Sequence, residues 1–339
     1  MDDALRLRPG VPALVLAPMD GLTDAPMRAV QGEIGAFTYA VAEFVRVSAT
    51  VVPKHVFVRD VPELLTGSRT RTGLPVQVQI LGGDPGRMAA SALVAVEAGA
   101  RSIDINFGCP APTVNSHDGG ASLLKHPARI REIVRAVRDA VPDPIPVSAK
   151  LRLGWDCLEA ILENAAMAAE GGADWVTIHA RTREQGYRPP AHWSMIRRVV
   201  EEVADGGARF PVVANGDIWS LDDLRRCRDV TGCDHFMLGR GAIADPRLSH
   251  RAARELGLVP DAPDDAEASP IADWRPYLQR LVAHSELHAP GASRYVVKRL
   301  KQWLSMAHRH GDFAHFDAVK RAETVEEMFA TLAQPRPAA

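Results

Sequence analysis

One pattern constrains this chain more than any other. From Ala13 to about Gly257, short apolar runs alternate with longer amphipathic stretches. The runs are ALVLAPM (Ala13–Met19), YAVAEFVRV (Tyr39–Val47), PVQVQILG (Pro75–Gly82) and SIDINFG (Ser102–Gly108). They continue with PVSAKLRLG (Pro146–Gly154), WVTIHART (Trp175–Thr182), PVVANGD (Pro211–Asp217) and HFMLGRG (His235–Gly241). Most are apolar throughout rather than alternating, as expected for parallel strands covered on both faces. Stretches such as PARIREIVRAVRDAV repeat apolar residues at three and four, and glycine follows several helix ends. Only Val47–Gly73 is less regular. Eight strand–helix units over about 250 residues predict the α/β class and a closed (β/α)8 barrel. A doubly wound sheet uses fewer strands, and no GxGxxG follows the first run.

After Gly257 the pattern stops. VPDAPDDAEASP (Val259–Pro270) is rich in proline and acids and has no apolar period, so it reads as a linker. Residues 271 to about 333 then carry helical periodicity in WRPYLQRLVAHSELH, SRYVVKRLKQWLSMAHRH and FDAVKRAETVEEMFATLA. The predicted organisation is a barrel over 1–257, a linker over 258–270 and a helical bundle over 271–339, frayed at its last residues.

Charge matters mostly locally. The 339 residues carry a net charge of −2, so nothing drives the whole chain toward nucleic acid or a membrane. No apolar run has the length of a membrane span, and MDDALRLRPG lacks the apolar core of a signal peptide. The four cysteines form no CxxC pair, which suits reduced thiols and a cytoplasmic protein. There is no metal-ligand spacing, and the HxH of His308 and His310 is expected on a helix surface. From Arg294 to Arg321, however, seven Lys/Arg stand against two acids. Arg294, Lys298 and Lys301 share a helical spacing. Such a face is either simply solvated or a footprint for an RNA backbone.

In a barrel of this kind the active site lies at the C-terminal ends of the strands. Nearly every run ends there in polar residues: Pro18–Met19–Asp20, Glu43 and Arg46, Gln79, Asn106 and Cys109, Lys150 and Arg152, His179 and Arg181, Asn215–Gly216–Asp217, and Gly239–Arg240–Gly241. The loops after the last two strands are a usual phosphate site. Their glycines suit close backbone approach, although glycines also serve tight turns alone. Lys150 in a crowded mouth needs an acceptor, and a flavin carbonyl or ring nitrogen would serve; Gln79 can both donate and accept at a flavin edge. His179, taken singly, reads as a core histidine and gains weight only beside Lys150. Cys109 sits where a strand meets a Gly-bearing loop. It is either a buried structural thiol or a weak acid able to protonate a carbanion.

Taken together, APMDG, EFVR, QILG, NFGCP, KLRLGW, HARTREQGY, ANGDI, GRGA and the tail's LKQWLS resemble the bacterial tRNA-dihydrouridine synthases, most nearly their C-type branch. The resemblance runs from about Leu14 to Glu323. It implies an FMN-bearing barrel, a helical tRNA-binding domain and reduction by NADPH of a D-loop uridine, position 16 for this branch. It implies Cys109 as proton donor to uracil C5, with hydride passing from FMN to C6. Pro18 and Met19 would lie along the flavin, Gln79 and Lys150 at its polar edge, and His179 beside cofactor or base. Asn215, Gly216, Asp217, Gly239 and Arg240 would bind its phosphate and ribityl chain. Asn106 and Tyr187 would hold the uracil, and Arg46, Arg299, Lys301 and Arg321 would orient the tRNA. Met306 stands where the branch leads one to expect an aromatic, so a stacking surface would be missing. A monomer is expected. Two other readings stay open: an FMN reductase of a free small molecule, of the dihydroorotate or enone type, and a non-catalytic RNA-binding protein.

Overall fold

The computed structural model describes residues 5–116, 119–204, 210–260, 271 and 273–334. Its strands are β1 (Ala13–Leu16), β2 (Tyr39–Val41), β3 (Val45–Arg46), β4 (Val76–Leu81), β5 (Ile103–Asn106), β6 (Val147–Arg152), β7 (Trp175–His179), β8 (Val212–Asn215) and β9 (His235–Leu238). All pair in parallel in the order β2-β1-β9-β8-β7-β6-β5-β4-β3, and β2 also pairs with β4. The sheet is therefore closed. β2 and β3 both lie along β4, with Ala40 opposite Val76 and Val45 opposite Ile80, so they form one stave and the barrel has eight. The predicted strand Tyr39–Val47 is in place but interrupted at Ala42–Phe44. At the break Glu43 Oε1 accepts the Leu22 N–H at 3.1 Å, a tertiary contact that draws the chain off its ladder.

Strand residues alternate between two layers, as the pleat requires. Val76, Val78, Ile80, Ile103 and Ile105 pack outward under the helices. Val15, Val41, Trp175, Val213 and Met237 fill the barrel together with Leu5 and Leu7. The helices show why they pack there: Pro127–Ala140 buries Ile130, Ile133, Val134 and Val137, one stripe at helical spacing. Proline sits in its first turn, where a missing N–H costs nothing. Asp84 caps Pro85–Glu97 by accepting the Arg87 N–H at 2.8 Å.

The tail forms helices Arg275–His288, Ser293–His310, Phe316–Val319 and Val325–Leu332. The third predicted stretch is thus two helices. Thr324 breaks it by capping the last one, accepting the Glu327 N–H at 3.1 Å. The tail is fused to the barrel, since Trp274, Leu278, Leu300, Trp303 and Leu304 share one core with Met27, Val30 and Ile243. Trp303 Nε1 donates to Ile243 O at 2.8 Å. At Gly311 a Cβ would meet Ala244 O at 2.4 Å, so only glycine allows that approach. Leu258 and Val259 pack on the outer barrel layer, which carries the first domain slightly past residue 257. The rest of the predicted linker, 261–270, and the last residues, 335–339, lie outside the described residues. Among the described residues no helix is long and apolar enough to cross a membrane.

Candidate active site at the barrel mouth

A cleft of about 310 Å³ opens at the C-terminal ends of β6 to β9 and β1. It gathers Lys150, His179, Asn215, Gly216, Asp217, Gly239, Arg240, Pro18, Met19, Tyr187 and Met306. Register explains the gathering. Asn106 pairs with Lys150, Arg152 with His179, and His179 with Asn215, so successive strands deliver their polar ends to one rim.

Each wall has its own electrostatics. Lys150 Nζ donates to Asn215 Oδ1 at 3.4 Å, its one hydrogen bond among the described residues. Burial, helped by Arg152 and opposed by Asp104, lowers its pKa to about 8. Burial also holds His179 well below the usual histidine range, with Arg152 and Lys150 adding to it. Its Nε2 faces the Arg181 guanidinium at 3.2 Å. A guanidinium only donates, so the neutral ring carries its proton on Nδ1. Gly216 lies beneath that ring at φ +118°, where a Cβ would reach His179 Cδ2 at 3.0 Å. Asp217 is an internal brace. It pairs with buried Arg181 and accepts the Ala191 N–H at 3.1 Å. Burial works against its charge, yet Arg181 holds it below the usual carboxylate range. Arg240 lies 4.8 Å from the Tyr187 ring and 4.9 Å from the Trp219 ring, and Trp219 stacks on His310 of the tail at 4.6 Å.

Cys109 follows β5, half-buried, on the turn that leaves the strand. Burial pushes its thiol up, with Asp20 adding; the Ala111 N–H, Arg152 and Arg46 act against it. Cys109 is therefore a protonated thiol at neutral pH. Cys109 itself does not line the cleft; it leaves the same end of the barrel, where Asp20 of the cleft wall acts on its thiol. At Gly120, φ +60°, a Cβ would meet Cys109 O at 2.9 Å; glycine lets the loop return against the cysteine. Gln79 and Asn106 do not line the cleft. Asn106 Nδ2 donates to Gln79 Oε1 at 2.8 Å, and Gln79 Nε2 donates to Asp104 Oδ2 at 2.7 Å.

A wider groove of about 1060 Å³ adjoins the cleft. Arg294, Lys298, Lys301 and Arg309 line it, and Met306, Asp20 and Leu22 border both spaces. Among the described residues none of the four cations forms an ion pair. Arg299 requires a correction: it is 3% exposed and cannot be a surface contact. It donates to Leu22 O at 2.6 Å and Gly21 O at 2.5 Å and pairs with Asp24 at 2.8 Å. It clamps the tail to the loop after β1. Arg46 is exposed and donates to Thr113 O at 3.1 Å. It lines a separate hollow with Arg87 and Arg129. Arg321 is exposed just before the last helix and lines neither cleft nor groove.

Residues 15–330 match the family described as Dihydrouridine synthase (Dus). This chain belongs to that family. It is 44% identical over 325 residues to a tRNA-dihydrouridine(16) synthase of Aquipseudomonas alcaligenes, covering 94% of this chain and 98% of the relative. It is 41% identical to the tRNA-dihydrouridine(16) synthase of Neisseria meningitidis serogroup B, covering 95% and 94%. The solved 6-hydroxypseudooxynicotine amine oxidase of Pseudomonas geniculata is 13% identical with a TM-score of 0.54, over 74% of this chain and 49% of that one; that likeness concerns the fold alone.

In this dihydrouridine synthase, strand-end reasoning overlooked Trp219 and Asp104 and left Arg181, which it did place, without a role. Trp219 walls the cleft and holds Arg240; an aromatic two residues beyond Asp217 was its signal. Arg181 stands at a strand end but serves as a buried brace. Asp104 lies inside β5, signalled by polar residues alternating at Ser102, Asp104 and Asn106.

Proposed function

We propose that this chain reduces the C5–C6 bond of a uridine in the D-loop of tRNA, uridine 16, with FMN as its cofactor and NADPH as the reductant. The observation that carries the reading is a thiol kept protonated by burial, Cys109, at the same end of the barrel as a cleft suited to an anionic, aromatic ligand. The cleft fits FMN on three counts. Gly216 and Gly239 leave its wall without side chains; a Cβ on Gly239 would fill the space against Ala17 and Met19 at 3.4 Å. Arg240 is held between two rings, ready for a phosphate. Lys150 is a half-buried ammonium with a single long hydrogen bond, so it has donors left for a further acceptor. The names of the relatives support the choice of position 16.

When bound and reduced, FMN supplies hydride to uracil C6. The chain's own residues do the rest. Negative charge builds toward C5, which the C4 carbonyl polarises, and the Cys109 Sγ–H gives its proton there. The thiolate left behind is steadied by the Ala111 N–H, Arg152 and Arg46, the same groups that oppose the rise of the thiol. Tyr187, which lines the cleft, borders the space for the base. The base must leave its stack to enter, and the Lys298–Lys301 face grips the surrounding backbone. Cys109→Ala should retain its flavin, read by absorbance, and lose about 100-fold or more of turnover on unmodified tRNA. Full turnover in that variant removes Cys109 from the reaction.

A further inference from the structure

A reductant has to reach the same flavin as the base, and it brings phosphates of its own. NADPH carries a pyrophosphate and, on its adenosine half, a 2′-phosphate, so its seat needs cations. No GxGxxG follows the first strand, and the loop Gly239–Arg240–Gly241 walls the cleft proposed for the flavin. Lys150 and Arg240, the lysine and the arginine that line that cleft, are the groups proposed for the flavin itself. Neither is left for a second polyphosphate.

Two further cationic spaces lie at this end of the barrel. The hollow of Arg46, Arg87 and Arg129 shares no lining residue with the cleft. Two of its arginines are already paired with acids, Arg87 with Asp84 at 3.4 Å and Arg129 with Glu132 at 2.9 Å. The tail groove is different. It shares Asp20, Leu22 and Met306 with the cleft, so the two spaces adjoin along that edge. Arg294, Lys298, Lys301 and Arg309 recur along the helix Ser293–His310 at steps of four, three and eight, which sets them in one stripe. All four line the groove, against Asp20 and Glu323 as its acids, so positive charge prevails there. Counting from Met306 at the edge of the cleft, the helical rise puts Lys301 about 7.5 Å and Lys298 about 12 Å along the axis. An extended dinucleotide with its nicotinamide in the cleft covers that span. Its far end is the adenosine that carries the 2′-phosphate.

We propose that the tail groove also seats NADPH, with Lys298 and Lys301 holding its 2′-phosphate, so that the dinucleotide and tRNA compete for one stripe of cations. The inference rests on the proposed function for the flavin and its reductant, and adds where that reductant binds and what selects it over NADH. One set of cations cannot hold two polyanions at once. The dinucleotide therefore clears the groove before the RNA backbone enters it.

Binding tests this without turnover. In calorimetric titration of the flavin-loaded enzyme, NADP+ should bind about tenfold or more tightly than NAD+. Lys298→Gln with Lys301→Gln should weaken NADP+ about tenfold and leave NAD+ within about twofold, because NAD+ has no 2′-phosphate to lose. Arg87→Gln with Arg129→Gln removes the same charge from the hollow and should leave both dinucleotides within about twofold, which separates a contact from the general field. An equal loss for NADP+ and NAD+ in the lysine variant, no loss for either, or an equal loss of NADP+ in the hollow variant overturns the proposal. The unaltered enzyme gives a second measurement. In filter binding at constant ionic strength, NADP+ should displace unmodified tRNA competitively, and NAD+ about fivefold less well. Simultaneous binding of NADP+ and tRNA overturns the proposal, and this measurement decides alone if the lysine variant does not fold. Bleaching of the flavin by NADPH reports separately on the reading beneath. Without bleaching, both the reductant and its seat fall; with bleaching but no competition, only the seat falls.

Discussion

Two cationic regions meet at Met306, and they are built in opposite ways. In the cleft, charged groups are held: Arg240 between two rings, Arg181 on Asp217, Lys150 on Asn215. In the groove, Arg294, Lys298, Lys301 and Arg309 line about 1060 Å³ with no ion pair among the described residues. Groups fixed before binding suit a small ligand of set shape, because little freedom is left to lose. Cations without an ion-pair partner along a surface groove suit a polyanion, where affinity comes from releasing counterions. One region is a mould and the other an electrostatic handrail.

The largest effect that would sharpen this contrast comes from the groove. Lys298→Glu with Lys301→Glu should raise KM for tRNA by about 10- to 100-fold near 50 mM salt and leave kcat and flavin content unchanged. It should also flatten the salt dependence of tRNA binding by about 0.7 to 0.9 per lost phosphate contact. Equal losses in kcat would mean that the groove belongs to the chemistry, and the contrast would break. Removing the whole tail is a poorer test, because it would bare Met27, Val30 and Ile243. Next in size, Arg240→Ala should weaken FMN binding about tenfold, read by fluorescence titration, with tRNA binding unaffected. A flavin affinity that falls with salt as steeply as that of tRNA would count against a mould.

The smallest effect concerns stability and runs the other way. Lys150→Met removes a half-buried charge that its surroundings disfavour, so the flavin-free protein should melt about 2 °C higher at pH 7 while binding flavin more weakly. The pH dependence has a definite sign. The folded pKa of Lys150 is about 8, below the roughly 10.4 of an unfolded lysine. Between these values the unfolded chain holds more protons, so this group's burden on folding eases as pH rises through that window. The advantage of Lys150→Met in calorimetry should therefore be full below pH 8 and shrink toward about pH 10.

The barrel was legible because buried parallel strands leave continuous apolar runs, and the cleft followed from reading the strand ends. What was hidden depended on contacts between distant segments. The break in the second stave answers to Leu22, which no local pattern announces. Arg299 is more instructive. Val296, Leu300, Trp303 and Ala307 trace the buried face of the helix Ser293–His310, and Arg299 falls on that face. The periodicity already placed it inside; counting charges concealed this. Asn106 ends its strand as expected, but Gln79 lies inside β4 (Val76–Leu81), and the two amides bond to one another and to buried Asp104 rather than facing the cleft. Nothing in the sequence orients an amide.

Met306 borders both the cleft and the groove, and His310 stacks on Trp219, which walls the cleft. Exchanging this tail would therefore also replace part of the cleft proposed for the flavin. Within this architecture, a change of target and a change of cofactor environment are inherited together.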